Sequence, residues 1–151
     1  MGLTVKLGID VLQEQNFAPM VGKRVGLYTN ASGVDYKLRS TYDILWQADN
    51  INLVGLFAPE HGFAAAAQDG EHISDLVDSR TGVPMFSLYG GTYTPTEAMM
   101  NEVDVVVVDI QDIGVRYYTF MWTMTHVLEA CAQYDVEMLI LDRPNPLGAM
   151  R

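Results

Sequence analysis

The chain has one cysteine, Cys131, in 151 residues, so no intrachain disulfide can form. It is also short of cations: 9 Lys and Arg stand against 19 Asp and Glu, for a net charge of −10. Such a surface repels nucleic acid and anionic membranes, and an anion-binding site would need local Arg, Lys or backbone N–H donors. No apolar run approaches the ~20 residues that a membrane span requires. The longest, Val103 to Ile110, is broken by Asp104 and Asp109. No basic, apolar, small-residue leader is visible at the start. Familiar phosphate and hydrolase signatures are missing as well. There is no Gly-x-Gly-x-x-Gly after the first expected strand and no Walker pattern, which leaves a nucleotide cradle unsupported. The absence of a Gly-x-Ser-x-Gly elbow argues against a serine hydrolase.

What is present is the balance of a globular domain with a core of its own: 49% apolar and 19% charged residues. Short apolar runs predict strands at Val25–Thr29, Ile51–Ala58, Met85–Tyr89, Val103–Ile110 and Glu137–Leu141. Helical spacing predicts helices over Gly8–Gln15, over Lys37–Asp49 (Leu38, Tyr42, Leu45) and over Tyr117–Tyr134 (Phe120, Met124, Val127, Cys131). A short helix is expected to open at Thr94-Pro95-Thr96-Glu97, with the proline at its first position. Residues 59 to 83 show no clear period, and connections of that length are usually functional or mobile. Four consecutive valines suit a strand covered on both faces. Strand and helix alternate, which implies an α/β, Rossmann-like three-layer domain with a mostly parallel sheet of five strands or more.

Each expected strand runs directly into polar or turn residues. They are Thr29, Asn30 and Ser32; Glu60 and His61; Tyr89; Asp109, Gln111, Asp112 and Arg116; and Asp142, Arg143 and Asn145. In a parallel sheet these ends share one edge, where open α/β folds bind ligands. His61 and His72 are too widely spaced for a helical metal pair, and no cofactor is expected. His126, inside the long helix, reads as structural or exposed. The carboxylates Glu60, Glu71, Asp109 and Asp112 remain as chemistry. Glu60 follows an apolar strand and Pro59, a setting for a partly desolvated acid. It reads equally as a loop carboxylate that caps a helix or pairs with an arginine.

Several segments occur together in one known family. They are Gly8-Ile9-Asp10; Thr29-Asn30 followed by Ser32-Gly33-Val34-Asp35; Ala58-Pro59-Glu60-His61-Gly62-Phe63; Gly70-Glu71-His72; and Ser87-Leu88-Tyr89-Gly90. The longest are Asp109-Ile110-Gln111-Asp112-Ile113-Gly114, with Arg116-Tyr117-Tyr118-Thr119, and Asp142-Arg143-Pro144-Asn145-Pro146-Leu147-Gly148. In this order they resemble the exo-β-N-acetylmuramidase family, formerly a domain of unknown function, across essentially the whole chain. The resemblance implies hydrolysis of a terminal β-linked N-acetylmuramic acid from peptidoglycan fragments, with Glu60 as the leading catalytic carboxylate. It implies that His61, Glu71, Gln111, Asp112, Arg116, Asp142, Arg143 and Asn145 line or brace the cleft; Asn30 and Asp109 are expected to join them as strand-end residues, and Tyr118 as an aromatic at the start of the long helix, beside the cleft. It also implies a secreted or periplasmic setting and a peptidoglycan-derived saccharide as partner. Family chains are more than twice this long, so residues 1–151 are expected to correspond to the N-terminal domain, with the second cleft wall in a C-terminal domain. An uncovered cleft surface is then a candidate for self-association. One departure stands out: the family usually carries Arg-Gly where this chain has Ala64-Ala65, at the head of the run Ala64 to Ala67. Two other readings stay open, a sugar- or muropeptide-binding module without turnover and a metal-dependent hydrolase centred on His61.

Overall fold

The computed structural model describes residues 5–59, 76–89 and 92–148. Its elements in chain order are α1 (Gly8–Glu14), β1 (Arg24–Thr29), α2 (Thr41–Trp46), β2 (Asn52–Ala58), β3 (Leu76–Val77), β4 (Pro84–Ser87), α3 (Glu97–Met100), β5 (Val105–Asp109), α4 (Phe120–Tyr134) and β6 (Glu137–Ile140). A single 3-10 turn, Ala18–Met20, precedes β1. The six strands form one sheet in the order β3-β4-β2-β1-β5-β6. All neighbours pair in parallel except β3, which lies antiparallel to β4 at one edge. The five expected strands are therefore all present, and the parallel set has Rossmann-like topology. The chain winds outward through β1, β2 and β4, then returns to the middle and winds the other way through β5 and β6.

The continuous apolar runs are explained by helices on both faces. Val25 and Leu27 of β1, with Val105 and Val107 of β5, pack with Ile9 and Leu12 of α1 and Tyr42 and Leu45 of α2. The alternate residues Tyr28, Val106 and Val108 pack with Met100 of α3 and with Val127, Ala130 and Cys131 of α4. Side chains alternate across a strand, so a strand covered twice must be apolar at every position. Burial raises the Cys131 thiol to about 11, which keeps it protonated and unreactive. On α4 the buried stripe is Thr123, Val127, Ala130 and Cys131. Phe120 and Met124 are only partly covered, although the helical period put them in the core.

Three helices start later than the sequence reading places them. Residues 37–40 are not helical. Asp35 accepts the N–H groups of Lys37 and Arg39 at 2.9 and 2.8 Å, which fixes a turn in their place. Leu38 sits there in the left-handed region at φ 62, 81% exposed, outside the expected apolar stripe. The helix starts instead after Ser40, whose hydroxyl accepts from the Asp43 N–H at 3.0 Å. The short helix α3 is capped by Thr96, which accepts from the Met99 N–H, so it begins two residues later than the proline pattern suggested. The long helix begins at Phe120, and Tyr117 and Tyr118 belong to the loop that leads into it.

Candidate functional site

Where the strand order reverses, the carboxyl ends of β1 and β5 lie side by side, with Thr29 opposite Asp109. The connections from these two ends depart toward opposite faces of the sheet, which opens a crevice between them. Four segments meet there: the loop after β1, the first turn of α2, the loop after β5 and the segment after β6.

A buried ion pair forms the floor. Asp109 is 0% exposed and Arg143 only 5% at its side chain. Arg143 donates from Nε to Asp109 Oδ1 at 2.5 Å and from Nη2 to Oδ2 at 2.8 Å, a two-pronged contact that matches the guanidinium fork to the carboxylate. Nη2 also donates to the Val34 carbonyl at 2.8 Å. The Thr41 hydroxyl, at the start of α2, donates to Asp109 Oδ2. The Thr29 hydroxyl donates to the Asp109 carbonyl at 2.5 Å. One carboxylate thus joins β5 to α2 and to the segment after β6, and Arg143 carries the tie to the loop after β1.

A second layer of polar contacts lies nearer the surface. Asn30 Oδ1 accepts from the Ser32 N–H at 2.9 Å and from the Ser32 hydroxyl at 2.6 Å. Ser32 Oγ in turn accepts the Gln111 N–H at 3.0 Å, which bridges the two loops across the crevice. The Gln111 side-chain amide donates to the carbonyls of Asp112 and Pro144 at 2.6 and 3.1 Å. Asp112 accepts from the Gly114 N–H at 3.0 Å and from the Asn145 amide at 3.3 Å. Glycine is required at position 33: an added Cβ would lie 2.1 Å from Thr29 Oγ1 and 2.9 Å from the Asp109 carbonyl. Gly33→Ala is expected to cost about 1–3 kcal/mol in urea unfolding, because the backbone of β5 cannot yield as a flexible side chain would. A cost near zero would show that the loop shifts freely.

Asp35 anchors the outer part of the β1 loop. Burial pushes its carboxyl up, but the Arg39 N–H, the Arg39 guanidinium and the Lys37 N–H outweigh burial and hold it below the ordinary carboxylate range. A depressed value gives stability that is fully present above the ordinary value of about 3.9 and is lost as pH falls through the lower folded value. Asp35→Asn is therefore expected to be less stable than the parent at neutral pH. The gap should narrow as unfolding is followed from about pH 5 toward about pH 2. A gap constant across that range would contradict this role.

The sequence-derived candidates fall into three groups. Asn30, Asp109, Gln111, Asp112, Arg143 and Asn145 share the network just described. Arg116 and Tyr118 are exposed on the loop after β5, and Arg116 makes no ion pair among the described residues. Asp142 is exposed, and its carbonyl accepts the Gly8 N–H at 2.8 Å, which ties the start of α1 to the end of β6. Glu60, His61, Glu71 and His72 lie outside the described residues, as does the run Ala64 to Ala67; β2, the strand that leads toward Glu60, ends at the same carboxyl edge. Partly exposed His126 lies 3.5 Å from the carboxylate of Glu129, one turn along α4. Buried Thr29, named among the strand-end residues, belongs to the network as expected, and buried Thr41 is a network member that the motifs did not single out. For Thr41 a signal existed in Ser40-Thr41-Tyr42-Asp43, an N-terminal helix pattern that places Thr41 on the first turn.

Comparison with known proteins gives a consistent picture. Residues 25–151 match the family model described as the exo-β-N-acetylmuramidase NamZ, N-terminal. The chain is 44% identical over 144 residues to the peptidoglycan β-N-acetylmuramidase NamZ of Bacillus subtilis (strain 168), covering 95% of this chain and 35% of that protein. Two crystal structures of DUF1343 family proteins from Bacteroides fragilis NCTC 9343 share the fold. One superposes with a TM-score of 0.88 at 50% identity, covering 97% of this chain and 36% of that one. The other gives 0.77 at 38% identity, covering 95% and 36%. The chain thus spans about a third of the length of these relatives. With residues 25–151 matching, the chain belongs to the NamZ N-terminal family of exo-β-N-acetylmuramidases.

Proposed function

We propose that this domain supplies one wall of a glycosidase cleft that removes terminal β-linked N-acetylmuramic acid from peptidoglycan fragments. The observation that carries this reading is the 44% identity to a peptidoglycan β-N-acetylmuramidase over 95% of the chain. The crevice between β1 and β5 supports it, because its polar groups gather at the carboxyl edge where β2 also ends. In this reading Glu60 protonates the leaving oxygen while a second carboxyl group assists on the other side of the sugar ring. The Asp109–Arg143 pair does not touch the sugar; it sets the positions of the loops that do. The second wall belongs to the region that follows this domain in longer family members.

The test uses a chimera of residues 1–151 joined to the remainder of the Bacillus subtilis protein, assayed on a chromogenic muramic acid glycoside. The chimera is expected to turn over, and Glu60→Gln should lower kcat by about 10²- to 10⁴-fold, the usual contribution of a positioned acid. An unchanged kcat would remove Glu60 from the chemistry. Tight muropeptide binding without turnover by the chimera would favour a binding module. Activity lost on chelation would favour a metal-dependent hydrolase.

A further inference from the structure

The described cations have partners with one exception. Lys6 pairs with Glu14, Lys23 with Glu137, Arg24 with Asp104, Arg39 with Asp35, Arg80 with Asp43 and Arg143 with Asp109. Lys37 lies over the Tyr36 ring, 5.2 Å from its centroid. Arg116 is exposed, and its guanidinium has no ion pair or hydrogen bond among the described residues. With 19 acidic against 9 basic residues, a carboxylate is the charged group that a cation on this surface most often meets. The cation left open stands on the loop after β5, at the carboxyl edge where the crevice opens.

The loop that carries it is held on both sides. Before Arg116, the Gln111 N–H donates to Ser32, and the Asp112 carboxylate accepts from the Gly114 N–H and the Asn145 amide. Gly114, at φ 75, lies so close to the segment after β6 that an added Cβ would be 2.6 Å from Leu147. After it, the Tyr118 N–H donates to the Val115 carbonyl at 3.4 Å, so Arg116 and Tyr117 are the two middle residues of a turn. The Tyr117 and Tyr118 rings meet at 5.6 Å between centroids, and Tyr118 meets Phe120 at 5.7 Å. Phe120 packs on the core, which anchors the row from within. Tyr117 is 81% exposed and Tyr118 41%, so ring surface stays open beside the free guanidinium.

We propose that Arg116 is the residue that reads the acid group of the substrate: its guanidinium takes the lactyl carboxylate of N-acetylmuramic acid, and the Tyr117 and Tyr118 rings lie against the apolar face of the same sugar. N-acetylmuramic acid differs from N-acetylglucosamine by a lactyl ether at O3 that ends in a carboxylate. A guanidinium offers that group two parallel N–H donors and sheds water more readily than an ammonium does. A pyranose ring presents C–H groups on one face, which pair with the electron-rich face of an aromatic ring. The net charge of −10 repels an anionic sugar at long range, so a fixed local cation is what admits it. The partners of the other described cations leave none of them equally open to a ligand. This assignment deepens the muramidase reading and rests on it for the identity of the sugar.

Steady-state kinetics of the chimera test it on three glycosides with one leaving group. Their sugars are N-acetylmuramic acid, the same sugar with its lactyl carboxyl converted to a methylamide, and N-acetylglucosamine. Arg116→Gln should lower kcat/KM on the acid by about 10- to 100-fold, the usual effect of losing a hydrogen bond to a charged group. Most of that loss should appear in KM, because the contact is made equally before and during bond breaking. The loss on the two neutral sugars should be smaller by about fivefold or more, since neither offers a charge to the guanidinium. Arg116→Lys should recover part of the rate on the acid, because it keeps the charge and loses the fork. Tyr117→Ala should weaken all three substrates by a similar factor, because a ring face does not read charge. Equal losses on all three sugars for Arg116→Gln would make the residue a general brace and overturn the proposal. An undiminished rate on the acid would overturn it as well. A chimera that turns over none of the three counts against the muramidase reading instead. Titration of the 151-residue chain with N-acetylmuramic acid and N-acetylglucosamine then decides, followed through the Arg116 Nε–H resonance. A shift with the acid alone supports the assignment, and no shift at millimolar acid overturns it.

Discussion

Arg143→Ala is expected to destabilise the domain by about 3–5 kcal/mol, the cost of removing one partner from a buried ion pair. The replacement leaves Asp109 fully buried with the Thr41 hydroxyl as its one remaining side-chain partner among the described residues, and leaves the Val34 carbonyl without the Arg143 donor. Lysine is not a conservative substitute, because a single ammonium cannot span both carboxylate oxygens and the carbonyl with the fork geometry. Arg143→Lys should therefore weaken folding as well, while muropeptide affinity of the protein that remains folded stays unchanged. That combination identifies a clamp and excludes direct contact with substrate. The double replacement Asp109→Leu with Arg143→Met should recover much of the loss, since apolar groups of similar size leave no uncompensated charge. Urea unfolding of the four proteins decides the matter. A loss below about 1 kcal/mol for Arg143→Ala would show that water reaches the pair and screens it.

The 151-residue chain by itself is expected to hydrolyse a terminal muramic acid glycoside at least about 10³-fold more slowly than the Bacillus subtilis relative. Holding a substrate in reactive geometry is worth several kcal/mol or more of the barrier, and an open wall provides little of it. In the proposed reading this chain supplies one wall of the cleft, and a glycosidase must hold the sugar on both sides of the bond while excluding bulk water. The resemblance to the family implies Arg-Gly where this chain has Ala64-Ala65, a departure that removes polar groups near Glu60 in sequence. Parallel measurements of kcat/KM on the short chain, the chimera and the relative would resolve the two contributions. A fast chimera and a slow short chain would assign the deficit to the missing wall. A slow chimera would assign it to the alanines, and restoring Arg-Gly at Ala64 and Ala65 should then recover the rate. Comparable rates for the short chain and the relative would mean that one wall suffices.

The strands were legible in the sequence because burial on both faces demands a run such as Val105 to Val108, and a half-exposed strand or a surface helix would have broken it with polar residues. The polar residues at the strand ends were legible for a related reason: a parallel sheet sends every carboxyl end to one edge. Local boundaries were less readable. The apolar spacing of Leu38, Tyr42 and Leu45 spoke for a helix, but hydrogen bonds to Asp35 held residues 37 and 39 in a turn. Composition cannot weigh one carboxylate against a helical period. Strand order was not readable either, because apolar runs do not say which neighbour they meet. Only the tertiary structure set β1 beside β5 and so decided where the crevice opens. It also decided that Asp109 and Arg143, 34 residues apart in the chain, face each other. A buried charge needs a partner in space, and sequence distance does not determine which partner is within reach.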